Sequence, residues 1–312
     1  MSLTKKPLGR TGLEVSVLGF GGGPFGGFYG SFDESEGIRA VHHAIDRGIN
    51  LFDTSPYYGG GKSEEILGKA LTGGYREKIV LATKAGRIAK DVFDFSFDGM
   101  VRSCETSLKL LQTDHVDILQ AHDIEFEPNL DWVFDETFRA LDHLKKQGKC
   151  RFIGMTGFPL GVLEKAIQNC KLDVVISYCH ASLNDSTMIS RLVPLAKARG
   201  TGIINASALS MGLLTMEGPP AWHPAPEAVK AAVRKVVDHC AKRAANLAKL
   251  AQQYTIHLPE VETTLVGMAR IAEVDANIEA AMTKPDPVLL AEVLEILKPI
   301  SGTGWPSGTW PA

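Results

Sequence analysis

Short runs of β-branched and apolar residues alternate with longer amphipathic stretches along almost the whole chain. Compact apolar runs predict buried strands over 17–20, 51–52, 79–84, 116–120, 152–155, 174–177, 202–206 and 264–266. Between them, apolar positions at helical spacing predict helices over 33–47, 63–71, 98–111, 131–147, 160–169, 186–198, 227–254 and 271–282. Asp33 and Ser63 stand where helices open, and Gly48, Gly148 and Gly200 follow closing turns.

About eight strand–helix units in series fit two architectures, a closed (β/α)8 barrel or an open doubly wound sheet with a further domain. The count, the even spacing and the 312-residue length favour the α/β class as a single TIM barrel, one domain over 1–312. Residues 5–16, with a Gly-Arg-Thr-Gly turn at 9–12, predict a β-hairpin ahead of the first barrel strand, placed to cap the barrel floor. Residues 286–297 predict an extra helix, and the tail from Ser301 is a Gly-, Pro- and Trp-rich loop.

Charge narrows the function classes. Lys and Arg number 33 against 36 for Asp and Glu, so no whole-protein field draws the chain to nucleic acid or an anionic membrane. The first residues lack the apolar segment of a secretory signal, and no run reaches the ~18 apolar residues of a membrane span. Five cysteines with no C-x-x-C pair argue against a disulfide framework or a cysteine zinc site, and predict a soluble cytoplasmic protein. No His/Asp/Glu spacing suggests a metal centre.

In a barrel the chemistry sits at the C-terminal ends of the strands. Strand two ends in Asp53, strand three in Lys84 and strand four in His122, and the loop after Asp53 adds Tyr57 and Tyr58 among glycines. Each residue alone reads as easily as a cap or a satisfied polar group. A lysine closing an apolar strand is desolvated and needs a partner such as Asp53. Three successive strands thus bring an acid, a cation and an imidazole to one rim.

These residues carry a resemblance to the aldo-keto reductases. It rests on G-I-N-x-F-D-T-x-x-x-Y-G around Asp53 and Tyr58, on Lys84, and on His122 four residues after Ile118, in the family's order and spacing. It runs from L-G-R-T-G-L-x-V-S at 8–16 to V-G-M at 266–268. Loop stretches at 52–60, 122–126, 177–180, 184–187, 211–215, 218–224 and 305–308 resemble the L-galactose dehydrogenase branch most. The resemblance implies a catalytic tetrad of Asp53, Tyr58, Lys84 and His122. It implies NAD-dependent oxidation of L-galactose at C1 to L-galactonolactone, a step of ascorbate formation, with Tyr58 as acid and base eased toward phenolate by Lys84. Related sugar or aldehyde chemistry (L-fucose, D-arabinose, pyridoxal) and a non-catalytic cofactor-binding barrel stay open as alternatives.

The same resemblance assigns cofactor contacts. Thr156 stands where the family carries a Ser-Asn pair, and Gly157 replaces the Asn. Tyr178 is placed to stack on nicotinamide, and Ser207, Leu209 and Met211 lie in the pyrophosphate loop. Gly267, Arg270 and Asn277 mark the adenosine end, where Glu273 and Asp275 favour NAD over NADP by repelling a 2′-phosphate. Substrate contacts fall to Tyr57, Asp123 and His180, the last of which either meets substrate or caps its strand. The expected partner is a small sugar, with no nucleic acid or membrane, and the expected state a monomer or weak homo-oligomer.

Overall fold

The computed structural model describes residues 3–27 and 30–310. A hairpin of β1 (Lys5–Pro7) and β2 (Glu14–Ser16) precedes β3 (Leu18–Gly21), α1 (Glu34–Asp46), β4 (Leu51–Asp53), α2 (Lys62–Ala70) and β5 (Val80–Ala85). A small hairpin, β6 (Arg87–Ala89) and β7 (Val92–Phe93), which the sequence pattern does not signal, leads to α3 (Phe97–Leu110) and β8 (Val116–Ala121). Next come α4 (Leu130–Trp132), a π-turn (Val133–Thr137), α5 (Phe138–Lys146), β9 (Cys150–Gly157), α6 (Leu160–Asn169), β10 (Val174–Tyr178), α7 (Thr187–Arg199) and β11 (Gly202–Ala206). The chain continues through α8 (Glu227–Lys242), α9 (Leu247–Ile256), β12 (Thr263–Gly267), α10 (Ile271–Met282) and α11 (Pro287–Leu297).

Strands β3, β4, β5, β8, β9, β10, β11 and β12 pair in parallel and close into a barrel where β12 meets β3. Side chains alternate across each strand. Leu51, Val80, Ala82, Ile118, Val174, Ile176, Ile204 and Leu265 point inward and pack with Leu8, Leu13 and Val15. The N-terminal hairpin therefore plugs the barrel floor with apolar side chains. The same alternation aims Asp53 and Lys84, two residues beyond Leu51 and Ala82, and His122, four beyond Ile118, into the open mouth. Outward-facing residues such as Phe20, Phe52, Leu81 and Leu119 bury against the helices.

One helix differs from expectation. The single helix predicted over 227–254 is two, α8 and α9, broken where Ala244 adopts a left-handed φ of 50°. Asn246 then caps α9, its side chain accepting from the Lys249 N–H at 3.0 Å. Apolar spacing runs through the break because both helices bury into one cluster, which α11 completes with Leu289, Val293 and Leu297. Among the described residues, no helix is long and apolar enough to cross a membrane.

Candidate active site

The loop from β4 to α2 makes a tight turn through Gly59, whose φ is +69°. A Cβ there would lie 2.9 Å from Gly26 Cα, so only glycine fits the turn that swings Tyr58 back over the barrel mouth. Lys84 has three ammonium protons, and three acceptors meet them. They are Asp53 Oδ1 at 2.5 Å, the Thr54 carbonyl at 2.8 Å and Tyr58 Oη at 3.2 Å. Tyr58 accepts from Lys84, so the phenol's own proton points away from the ammonium. Burial works against the Lys84 charge, but Asp53 and Tyr58 outweigh it and hold the amine above its ordinary 10.5. For Tyr58 burial wins. It pushes the phenol above its ordinary 10.0 although Lys84 pulls it down, so at neutral pH the residue keeps its proton. Lys84 itself pulls the phenol toward ionisation, against that burial.

His122 Nδ1 lies 2.9 Å from Ser55 Oγ, which also accepts from the Tyr57 N–H at 3.1 Å. In the tautomer in which Ser55 donates its proton to Nδ1, Nε2 carries the ring proton. Burial lowers the His122 pKa to about 3, with Lys84 and Arg87 reinforcing the drop against Asp123. His122 is a neutral donor.

A cavity of about 1200 Å³ runs from Asp53, Tyr58, Lys84 and His122 to α10. Tyr57, Asp123, Thr156, Tyr178, Ser207, Leu209, Met211, Gly267, Arg270, Glu273 and Asn277 line it too, so it brings together nearly every residue singled out from the sequence. Left-handed φ values at Ser207 (58°), Ser210 (45°) and Met211 (57°) curl that loop so that backbone N–H groups can converge on an anion. At the α10 end, Asn277 Oδ1 is buried without a hydrogen-bond partner. Such an acceptor suits an adenine amine, and with the curled loop it fits a dinucleotide lying along the cavity. Thr156 is shared: its hydroxyl accepts from the Asp123 N–H at 2.8 Å and donates to Asp123 Oδ1 at 3.0 Å. One lone pair is left for a carboxamide.

Two residues lie elsewhere. His180 does not line the cavity. Its Nδ1 is held by Asp185 at 2.9 Å, and its ring lies 4.6 Å from that of Phe158, which does line the cavity. Asp275 faces α1, bound to Arg47 at 2.5 Å and His43 at 2.9 Å. Two residues apart on a helix means about 200° of rotation, so Glu273 and Asp275 cannot share a face. Glu273 itself accepts from the Ala269 N–H at 2.7 Å and from Arg270 Nη1 at 2.9 Å, capping α10.

Other residues carry no recognisable spacing. Arg87, two residues beyond the end of β5, pairs with Asp123 Oδ2 and lies 3.9 Å over the Tyr57 ring. Asp123 has a left-handed φ of 55°, uncommon outside glycine, which turns its carboxylate into the cavity. A strap over 303–310 forms one cavity wall through Trp305, Pro306, Ser307 and Gly308. Trp305 stacks on Phe158 with ring centres 4.8 Å apart. Glu125 holds the strap. Its Oε1 accepts from Ser307 Oγ at 2.9 Å and the Phe158 N–H at 3.1 Å, and its carbonyl accepts from the Thr309 N–H at 2.9 Å. Gly308 passes so close that a Cβ would sit 2.3 Å from that carbonyl oxygen. Two residues of the tail, 311 and 312, lie outside the described residues.

Burial first, and then the nearby Asp123, push the Glu125 carboxyl up to about 8. A carboxyl raised from 4.5 in the unfolded chain stabilises the fold fully below that value, and loses the contribution as pH rises through about 8. The melting temperature is expected to fall between pH 6 and pH 9. Glu125→Gln keeps an acceptor and cannot ionise, so it should flatten that fall. Equal slopes for the two proteins in a thermal scan series would remove Glu125 as the origin.

A model of the aldo/keto reductase family matches residues 17–296. The chain is 45% identical to L-galactose dehydrogenase of Arabidopsis thaliana over 97% of both chains. It is 27% identical to pyridoxal 4-dehydrogenase of Microbacterium luteolum over 88% of this chain and 92% of that one. Among solved structures, a holo-form aldo-keto reductase from Bacillus halodurans superposes with a TM-score of 0.81 at 25% identity, covering 99% of this chain and all of the other.

Proposed function

The chain belongs to the aldo/keto reductase family, and from that premise we propose that it oxidises L-galactose at C1 to the lactone with NAD. One observation carries the mechanistic part: the three protons of Lys84 are spent on Asp53, Thr54 and Tyr58, beside a neutral His122, at one end of a dinucleotide-sized cavity. Bound nicotinamide supplies the hydride acceptor. His122 Nε2–H donates to the C1 oxygen and fixes its position. Tyr58 handles the proton: as phenolate it takes the hydroxyl proton in oxidation, and as phenol it returns one in reduction. Lys84 stabilises the phenolate, and Asp53 keeps Lys84 charged and aimed. On this reading the reaction is the lactone-forming step of ascorbate synthesis, which the 45% identity to the plant L-galactose dehydrogenase supports.

The preference for NAD rests on Arg270. Its guanidinium is already engaged by Glu273 at 2.9 Å and the Ser31 carbonyl at 2.8 Å, so a 2′-phosphate would compete with a carboxylate for it. A monomer or weak homo-oligomer is part of the same reading. The five cysteines are buried and unpaired, which supports a cytoplasmic setting. The similarity to a pyridoxal dehydrogenase keeps another sugar or aldehyde as the second reading.

Mixing the protein with NAD+ and free L-galactose should raise absorbance at 340 nm, and kcat/KM with NADP+ should be lower by about tenfold or more. No signal with L-galactose, alongside turnover of pyridoxal or another aldehyde, would transfer the assignment to the second reading.

A further inference from the structure

A guanidinium has five N–H donors, and Arg87 spends few of them on protein. Nη1 pairs with Asp123 Oδ2, Nε is buried with no hydrogen-bond partner, and no bond to Nη2 is found among the described residues. The side chain lines the cavity, its guanidinium carbon 3.9 Å from the ring centre of Tyr57 and 4.7 Å from that of Phe126. A guanidinium only 12% exposed, set against aromatic rings and left with a buried Nε that has no partner, calls for acceptor oxygens from a ligand. Asp123 supplies the complementary acceptor. Thr156 fixes its Oδ1, and its Oδ2 lies 3.6 Å from His122 Nε2, next to where the reacting oxygen sits.

The charges of this end cancel. Asp53 balances Lys84, Asp123 balances Arg87, and His122 is neutral. A pocket for a sugar phosphate or uronic acid would carry a surplus cation. This one has donors and acceptors without net charge. Building on the sugar-oxidising reading above, we infer that Arg87 and Asp123 form a fork that reads the ring hydroxyls beside the reacting carbon, and so selects uncharged cyclic aldoses. Arg87 donates to the hydroxyl oxygens, and Asp123 accepts from a hydroxyl proton. The aromatic faces around them cover the C–H surface of the ring.

The test compares L-galactose oxidation with reduction of 4-nitrobenzaldehyde by NADH, which presents no hydroxyls to the fork. In Arg87→Ala the ratio of kcat/KM for the sugar to that for the aldehyde should fall about 10²-fold, the scale for a site deprived of hydrogen bonds it is built to make. Added guanidinium ion should restore part of the sugar activity, which a purely structural role does not predict. Asp123→Asn leaves a surplus cation and should raise activity on galacturonate relative to galactose about tenfold. An unchanged sugar-to-aldehyde ratio in Arg87→Ala, or an equal loss on both substrates without rescue, overturns the fork while leaving the sugar reading in place. A wild-type protein that reduces the aldehyde and oxidises no aldose overturns both.

Discussion

Tyr58→Phe is expected to lower turnover by at least about 10²-fold while the dissociation constant for the dinucleotide stays within about twofold. The phenol oxygen lies 3.2 Å from Lys84 and the residue lines the cavity with His122, so the substitution removes the group proposed to move a proton between protein and substrate. The ring remains and the cavity keeps its shape, because the hydroxyl is all that changes. Single-turnover absorbance measurements separate hydride transfer from release of reduced dinucleotide, and titration of protein fluorescence gives the binding constant. A variant with near wild-type single-turnover rate would take the proton-transfer role away from Tyr58.

Lys84→Met is expected to act in two separable ways. The first concerns pH. Burial already holds the Tyr58 phenol above 10.0, and Lys84 is the group that pulls it back. In the proposed mechanism oxidation needs phenolate, so sugar oxidation should rise with pH, and removing the cation should move that rise to still higher pH. A profile of kcat from pH 7 to 10.5 reads this directly, and an unmoved limb would sink the role even if activity fell at every pH. The second concerns stability. Asp53 and Lys84 are both almost fully buried, so the variant leaves a carboxylate without a counter-ion, at a cost of about 3–5 kcal/mol. Asp53→Asn with Lys84→Met removes both charges and should recover much of that loss in chemical denaturation, without recovering activity.

The barrel was legible because two periods recur cleanly. Alternation in the strands places Leu51 and Asp53, and Ala82 and Lys84, on one inner face, so the rim chemistry follows from the same pattern that builds the core. The cofactor-side residues were legible only through motif similarity, and Asp275 shows the limit of reading a segment without helical phase. Glu125 and Arg87 were not legible at all. A glutamate in a polar loop and an arginine after a glycine look like surface residues; what sets them apart is that Glu125 is buried against a segment that arrives much later, and that Arg87 pairs with Asp123 of another loop. The break at Ala244 was hidden for a related reason: both helices feed one apolar cluster, so hydrophobic spacing continues where hydrogen bonding does not.

The strap over 303–310 adds no strand to the barrel and no member to the Asp53–Tyr58–Lys84–His122 group, yet it forms a wall of the same cavity. Inheritance can therefore act on it separately. Deletions, insertions or exchanges within it leave the β-strand register and the proton relay untouched, provided that the contacts to Glu125 and Phe158 survive. A lineage built on this chain has a cheap route to new substrates, by revising eight residues at the margin rather than any of the strands. The apolar plug at the opposite end offers no such freedom, since each of its side chains is shared with several strands at once.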